Sequence, residues 1–131
     1  RLRQQDIRQT SIEGASVVVL NFTLQFLTLS ERAAVIRKIY DGLHPGAVLL
    51  FCEKITHPDA TLAELQQDLY FDFKRRNGYS ELEISQKREA LEKVLVPETI
   101  EQHLQRLQKA GFNSIDTWFK WFNFAAMIAV K

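Results

Sequence analysis

An α/β domain with parallel strands is predicted by three features of the chain. Val17-Val-Val-Leu20 is an unbroken, mostly β-branched apolar run; a second apolar run follows Gly46; and between them apolar residues recur at helical spacing. A run without alternation predicts a strand covered on both faces, as in the middle of a parallel sheet. Strand, helix and strand in so short a length predict a right-handed parallel crossover. Asn21 then falls at the carboxyl end of the first strand, the edge where open α/β sheets bind ligands. It is either a site residue or the cap of a loop.

The elements follow in order. Residues 1–15, with Asp6-Ile7 and the turn signal Glu13-Gly14, read as a loop, and the first strand as 16–22. Ser30 is placed to cap a helix over 31–43, with Val35, Ile36, Ile39, Tyr40 and Leu43 inward. His44-Pro-Gly46 stops it, and 47–55 reads as the second strand, buried on both faces. Thr61-Leu-Ala-Glu64 and Ser80-Glu-Leu-Glu83 both have capping-box spacing, so two helices are predicted to start there. The first carries Leu62, Leu65, Leu69 and Phe73 on one face and ends in Lys74-Arg-Arg-Asn-Gly78; the second covers about 81–94. Pro97 is expected to open another helix, with Ile100, Leu104 and Leu107 inward and Gly111 as its stop. Runs over 114–122 and 124–130 are so close that an antiparallel hairpin or a bulged bend is forced.

Composition narrows the classes. The 131 residues are 46% hydrophobic and 25% charged, which suits one globular domain over 1–131. Seventeen basic residues against sixteen acidic give a formal charge of +1, so neither nucleic acid nor an anionic membrane is favoured by global charge, and direct nucleic-acid binding is not expected. No apolar run is long enough to span a bilayer. A single Cys52 cannot form an internal disulfide, and a reduced, cytoplasmic setting is expected. Arg1 opens the chain within a charged stretch, and the chain is expected to be part of a longer protein.

Among the candidates for chemistry, Arg88 could grip a carboxylate through two parallel hydrogen bonds, or simply pair with Glu92 one turn on. Lys74-Arg-Arg76 could meet phosphate, or answer the dipole at a helix end. His44, His57 and His103 lack partners at ligand spacing, so no metal is expected. Cys52 reads as a small core residue, and neither Glu53 nor Asp68 has an evident carboxylate partner for acid and base work. In Trp118-Phe-Lys-Trp-Phe-Asn-Phe124, alternation puts Trp118 and Phe122 on one face and Phe119 and Trp121 on the other, which suits core or subunit packing better than base stacking.

Strand, helix, Leu43-His-Pro-Gly46, strand, and a late helix ending Ala110-Gly-Phe112 before a strand pair resemble the C-terminal half of a Rossmann-like class I S-adenosylmethionine-dependent methyltransferase fold, with a helical insertion after the second strand. Pro-Gly-Ala47 stands where Pro-Gly-Gly is usual. More specifically, Val18-Val-Leu-Asn-Phe-Thr-Leu-Gln-Phe26, Asp72-Phe-Lys74 and Asn77-Gly-Tyr-Ser-Glu-Leu-Glu-Ile-Ser-Gln-Lys-Arg88 resemble the carboxy-S-adenosyl-L-methionine synthase family, from Asp6 to Lys131. That resemblance implies an enzyme converting S-adenosyl-L-methionine and prephenate to carboxy-S-adenosyl-L-methionine and phenylpyruvate, by capture of carbon dioxide on a sulfonium ylide. The product feeds formation of uridine-5-oxyacetic acid at the tRNA wobble position by a partner enzyme. Resemblance further implies that Asp6 and Ile7 lie beside the adenine, Asn21 near the sulfonium, and Arg88 on the new carboxylate, with no metal and a homodimer. It also implies a preceding half with a glycine-rich loop, an acidic ribose ligand and three further strands; without it the chain is expected to be inactive and residues 17–20 to form a bare sheet edge. A methyltransferase acting on tRNA or a small molecule, or a noncatalytic dimerisation module, are the alternatives.

Overall fold

The computed structural model describes residues 2–131, so residue 1 of the predicted N-terminal loop lies outside the description. The elements run β1 (Ala15–Asn21), a 3-10 turn (Leu24–Phe26), α1 (Leu29–Gly42), β2 (Leu43–Lys54), α2 (Ala60–Arg76), α3 (Glu81–Glu92), α4 (Ile100–Ala110), β3 (Ser114–Trp121) and β4 (Phe124–Val130). The strands form one sheet in the order β1-β2-β4-β3. β1 and β2 are parallel, and β4 is antiparallel to both β2 and β3. The parallel pairing of β1 with β2 across α1 and the terminal hairpin agree with the sequence reading.

One face of the sheet holds the core. Leu20, Leu49, Phe51, Met127 and Ala129 point toward α1 and α4, where they meet Val35, Ile36, Ile39 and Leu107. The opposite face is largely open at β1, whose Val17 and Val19 are 57% and 61% exposed. The expected strand covered on both faces is therefore covered on one only, because nothing among the described residues packs on its outer face. It lies at the sheet edge, as expected for residues 17–20 of this chain taken without a preceding half.

Helix ends differ from their predicted positions where a competing cap is better placed. Thr28, not Ser30, caps α1: its backbone amide and hydroxyl both donate to the Glu31 carboxylate, at 3.0 and 2.7 Å. Asp59, not Thr61, caps α2 by accepting from the Leu62 amide. Thr99 with Gln102, not Pro97, begins α4. The Ser80–Glu83 capping box is present, and Gly111 ends α4 in the left-handed region at φ 112°, which glycine adopts without strain. The face of α2 expected inward is largely exposed: Leu62, Leu65, Leu69 and Phe73 are 40–51% accessible. In β3 a bulge at Trp118 breaks the simple alternation, so Thr117 lies opposite Met127 and Phe119 opposite Ala126.

A buried ionic network ties α1 to α4 and to the segment before it. Arg32, fully buried, pairs with Glu98 at 2.5 Å and donates to the carbonyls of Leu27 and Val96; Glu98 also takes Arg106. Burial opposes its charge, but hydrogen bonds from Arg106 and Arg32 hold the Glu98 carboxyl below its usual range. His103 sits beside this network with its ring edge-on to Phe51. Burial first, then Arg106 and Arg32, push its pKa down from 6.5 to about 4. A histidine depressed on folding binds more protons when unfolded, so its contribution is full above about 6.5 and is lost as pH falls toward about 4. The urea midpoint should fall between pH 7 and 5, and His103→Gln should flatten that slope; an identical slope in both proteins would assign the effect to other groups.

Candidate functional site

The carboxyl edge of β1 and β2 is shaped by one buried acid. Glu53, near the end of β2, has no solvent exposure, and its two oxygens accept the backbone amides of Thr23 (3.1 Å), Leu24 (2.9 Å) and Gln25 (3.0 Å). Burial pushes its carboxyl up from the ordinary value, while the amides of Leu24, Gln25 and Thr23 pull the other way. The sequence reading found no role for Glu53, since a carboxylate that answers main-chain amides leaves no side-chain partner to find. Its signal was a charge inside a run that otherwise reads as buried.

This grip sets the chain that leaves β1. Phe22 is held at φ 51°, in the left-handed region that a bulky side chain rarely adopts, by its amide bonding to the Cys52 carbonyl at 2.8 Å. The 3-10 turn then places Gln25 so that its side-chain oxygen takes the Lys54 amide (2.8 Å) and its carbonyl takes the Val96 amide (3.0 Å). Through Val96 the segment leading into α4 is fixed against the same edge.

Between this edge and the helices α2 and α3 lies a pocket of about 530 Å³. Phe22, Phe26, Tyr70, Phe71 and Phe124 supply apolar surface, and Ile84, Leu91 and Leu95 close it from the α3 side. Four cations, Lys54, Lys74, Lys87 and Arg88, line it against one carboxylate, Glu92. Burial lowers the pKa of Lys54; burial, then Lys87 and Lys54, lower that of Lys74. Such a lining suits an anion attached to flat or apolar groups.

The sequence candidates separate on this map. Arg88 lines the pocket; its Nε donates to Glu92 at 2.7 Å, in a surface pair whose side chains are 57% and 58% exposed. Asn21 ends β1 opposite Cys52, exposed, one residue before the pocket wall at Phe22. Asp6 and Ile7 are outside the pocket lining. Asp6 is engaged by Arg8 through its amide and guanidinium, and these bonds lower its carboxyl to about 2. Arg8 also reaches Glu31 at 2.7 Å, and Lys38 Nζ donates to the Ile7 carbonyl at 2.6 Å, so the loop is fastened to α1. Lys54 is a site residue that sequence reasoning does not find. Within the basic run offered as a phosphate contact or an answer to the helix dipole, Arg75 turns outward to Asp72 and Glu81 while Lys74 turns in. Among the described residues no group of three or more His, Cys, Asp and Glu could hold a metal ion.

No protein-family model matches the chain. It is 57% identical over 126 residues to a carboxy-S-adenosyl-L-methionine synthase of Shewanella oneidensis, matching 96% of this chain and 52% of that protein. The synthase of the same name from Desulforapulum autotrophicum is 58% identical over 125 residues, 95% of this chain and 51% of the relative. The chain thus spans about half the length of the curated relatives it matches. Among solved structures, human N-acetylserotonin methyltransferase in complex with SAM superposes with a TM-score of 0.65 at 15% identity, over 98% of this chain and 33% of that one. An O-methyltransferase family 2 protein from Planctomyces limnophilus gives 0.67 at 17% identity, over 97% and 33%. The fold is that of part of a class I S-adenosylmethionine-dependent methyltransferase.

If Glu53 sets this edge, Glu53→Ala should strand three buried amides and cost about 3 kcal/mol or more of stability. Hydrogen exchange at Thr23, Leu24 and Gln25 should accelerate well beyond the rest of the sheet. Unchanged protection at those amides would mean that the edge is set by other contacts.

Proposed function

We propose that this chain, homologous to the carboxy-S-adenosyl-L-methionine synthases over about half their length, carries the pocket in which such an enzyme holds its carboxylated ligand. The reaction is conversion of S-adenosyl-L-methionine and prephenate to carboxy-S-adenosyl-L-methionine and phenylpyruvate, and the product supplies a tRNA wobble uridine-5-oxyacetic acid modification. S-adenosyl-L-methionine supplies the sulfonium methyl carbon that accepts the carboxyl group, prephenate supplies that group, and the methyl proton and the ring hydroxide leave as water.

The observation that carries this reading is the charge of the pocket lining. A sulfonium is itself cationic at its reacting end, so a pocket made for it alone gains nothing from four cations and one acid. A ligand that acquires a carboxylate at that end does. Arg88 is the residue to receive it: its pair with Glu92 is solvated and costs little to exchange, and a guanidinium holds a carboxylate through two parallel hydrogen bonds. Asn21, at the end of β1, serves the sulfonium end. Asp6, on exchanging Arg8 for the exocyclic amine, and Ile7, through its backbone amide, serve the adenine. The residues present therefore fit the ligand, each with a donor or acceptor of the required kind. A homodimer belongs to the same reading, because the exposed Leu62, Leu65, Leu69 and Phe73 stripe on α2 offers apolar surface for a second copy. A cytoplasmic setting goes with it.

Full-length protein given both substrates is expected to yield carboxy-S-adenosyl-L-methionine by mass spectrometry, and to sediment at twice the protomer mass. Arg88→Ala should weaken the carboxylated ligand roughly ten- to a hundredfold and S-adenosyl-L-methionine much less. A methylated acceptor with no carboxylated nucleoside, in the presence of prephenate, would show a methyltransferase instead.

A further inference from the structure

Lys74 is unusual among the cations of this protein. It is 7% exposed in the last turn of α2, and it forms no ion pair or hydrogen bond through its ammonium among the described residues. Its neighbour Arg75 takes Asp72 and Glu81, so the acids within reach of this turn are spent on another side chain. What holds the Lys74 ammonium is aromatic: Nζ lies 4.8 Å from the centre of the Tyr70 ring and 5.8 Å from that of Tyr79. Lys54, half-buried on β2, also lacks an anionic partner among the described residues, and both line the same pocket. The stem of Lys74 is buried while its ammonium meets the pocket with no counter-ion, and Lys54 beside it adds a like charge.

We infer that Lys74, backed by Lys54, is the cation of a second carboxylate subsite in the pocket, distinct from Arg88, for the carboxylate of an acid that also bears a flat six-membered ring. Identifying that ring acid with the prephenate and phenylpyruvate pair rests on the function proposed above. Two anion positions follow from the two kinds of cation. Arg88 has a resident carboxylate to exchange, whereas Lys74 has none and waits on the ligand. The ring requirement follows from the walls, since Tyr70, Phe71 and Phe124 give flat apolar surface beside the ammonium. Lys74 is thus a binding residue for the ring acid and a determinant of which acids enter. Its lowered proton affinity accords with a site that lacks an anion until the ligand arrives.

The test is calorimetric titration of the full-length protein with phenylpyruvate and, separately, with benzoate, in wild type, Lys74→Met and Lys54→Met. Lys74→Met is expected to weaken both acids by at least about tenfold, to leave the affinity for S-adenosyl-L-methionine within about twofold, and to keep or raise Tm, because it removes a charge that has no counter-ion. Lys54→Met should weaken both acids by about threefold, and it stands in for Lys74→Met if that variant folds poorly. If benzoate is lost on Lys74→Met while wild type neither binds phenylpyruvate nor makes the carboxylated nucleoside, the subsite stands and the proposed reaction falls. If the nucleoside is made but both acids bind the variants as they bind wild type, the reaction stands and the subsite falls. Wild type binding neither acid would also overturn the subsite.

Discussion

The buried Glu53 carboxylate is the constraint on which the rest of this edge depends. Three consecutive amides after β1 point inward with no carbonyl to meet them, and one side chain from β2 answers all three. Backbone donors buried without partners are among the costliest defects a fold can carry. The strand therefore cannot simply run on past Asn21. It turns through a strained Phe22 into a single 3-10 turn, and that turn carries Gln25 and Phe26 into the pocket wall.

A second buried charge system fixes the opposite wall. Arg32 links the turn to the segment before α4 by donating to the carbonyls of Leu27 and Val96 and pairing with Glu98. Leu95 and Pro97, on either side of Val96, line the pocket, so its apolar rim is held by an ion pair that it does not touch. Against these two rigid walls stand α2 and α3, whose contacts with the sheet are fewer and whose outer faces are polar or exposed. Rigid sheet edge and lightly packed helices together suit a site that must admit and release ligand.

Much of the fold was legible because local signals and tertiary packing agreed. The run of valines, the helical spacing of Val35, Ile36 and Ile39, and Gly111 as a stop each correspond to an element in its expected place. Caps were less legible, since Thr28 competes with Ser30 and Asp59 with Thr61, and spacing alone does not rank two candidates two residues apart. Coverage of a strand's faces was not legible at all from Val17 to Val19. An unbroken apolar run says what a strand can bury, and the partner for its outer face must come from elsewhere. At the site, Arg88 and Asn21 stood out by type and position. Lys74 was hidden inside a basic run, and Glu53 inside a strand, because their significance lies in what surrounds them.

As proposed above, the pocket is an anion receptor at this sheet edge, with Arg88 released from Glu92 to take the ligand's added carboxylate. A crystal structure of the full-length protein with carboxy-S-adenosyl-L-methionine bound tests this most directly. Both carboxylate oxygens are expected within hydrogen-bond distance of the Arg88 guanidinium, with Glu92 turned away. Arg88 still paired to Glu92, and the ligand carboxylate held by other groups or facing solvent, would contradict it.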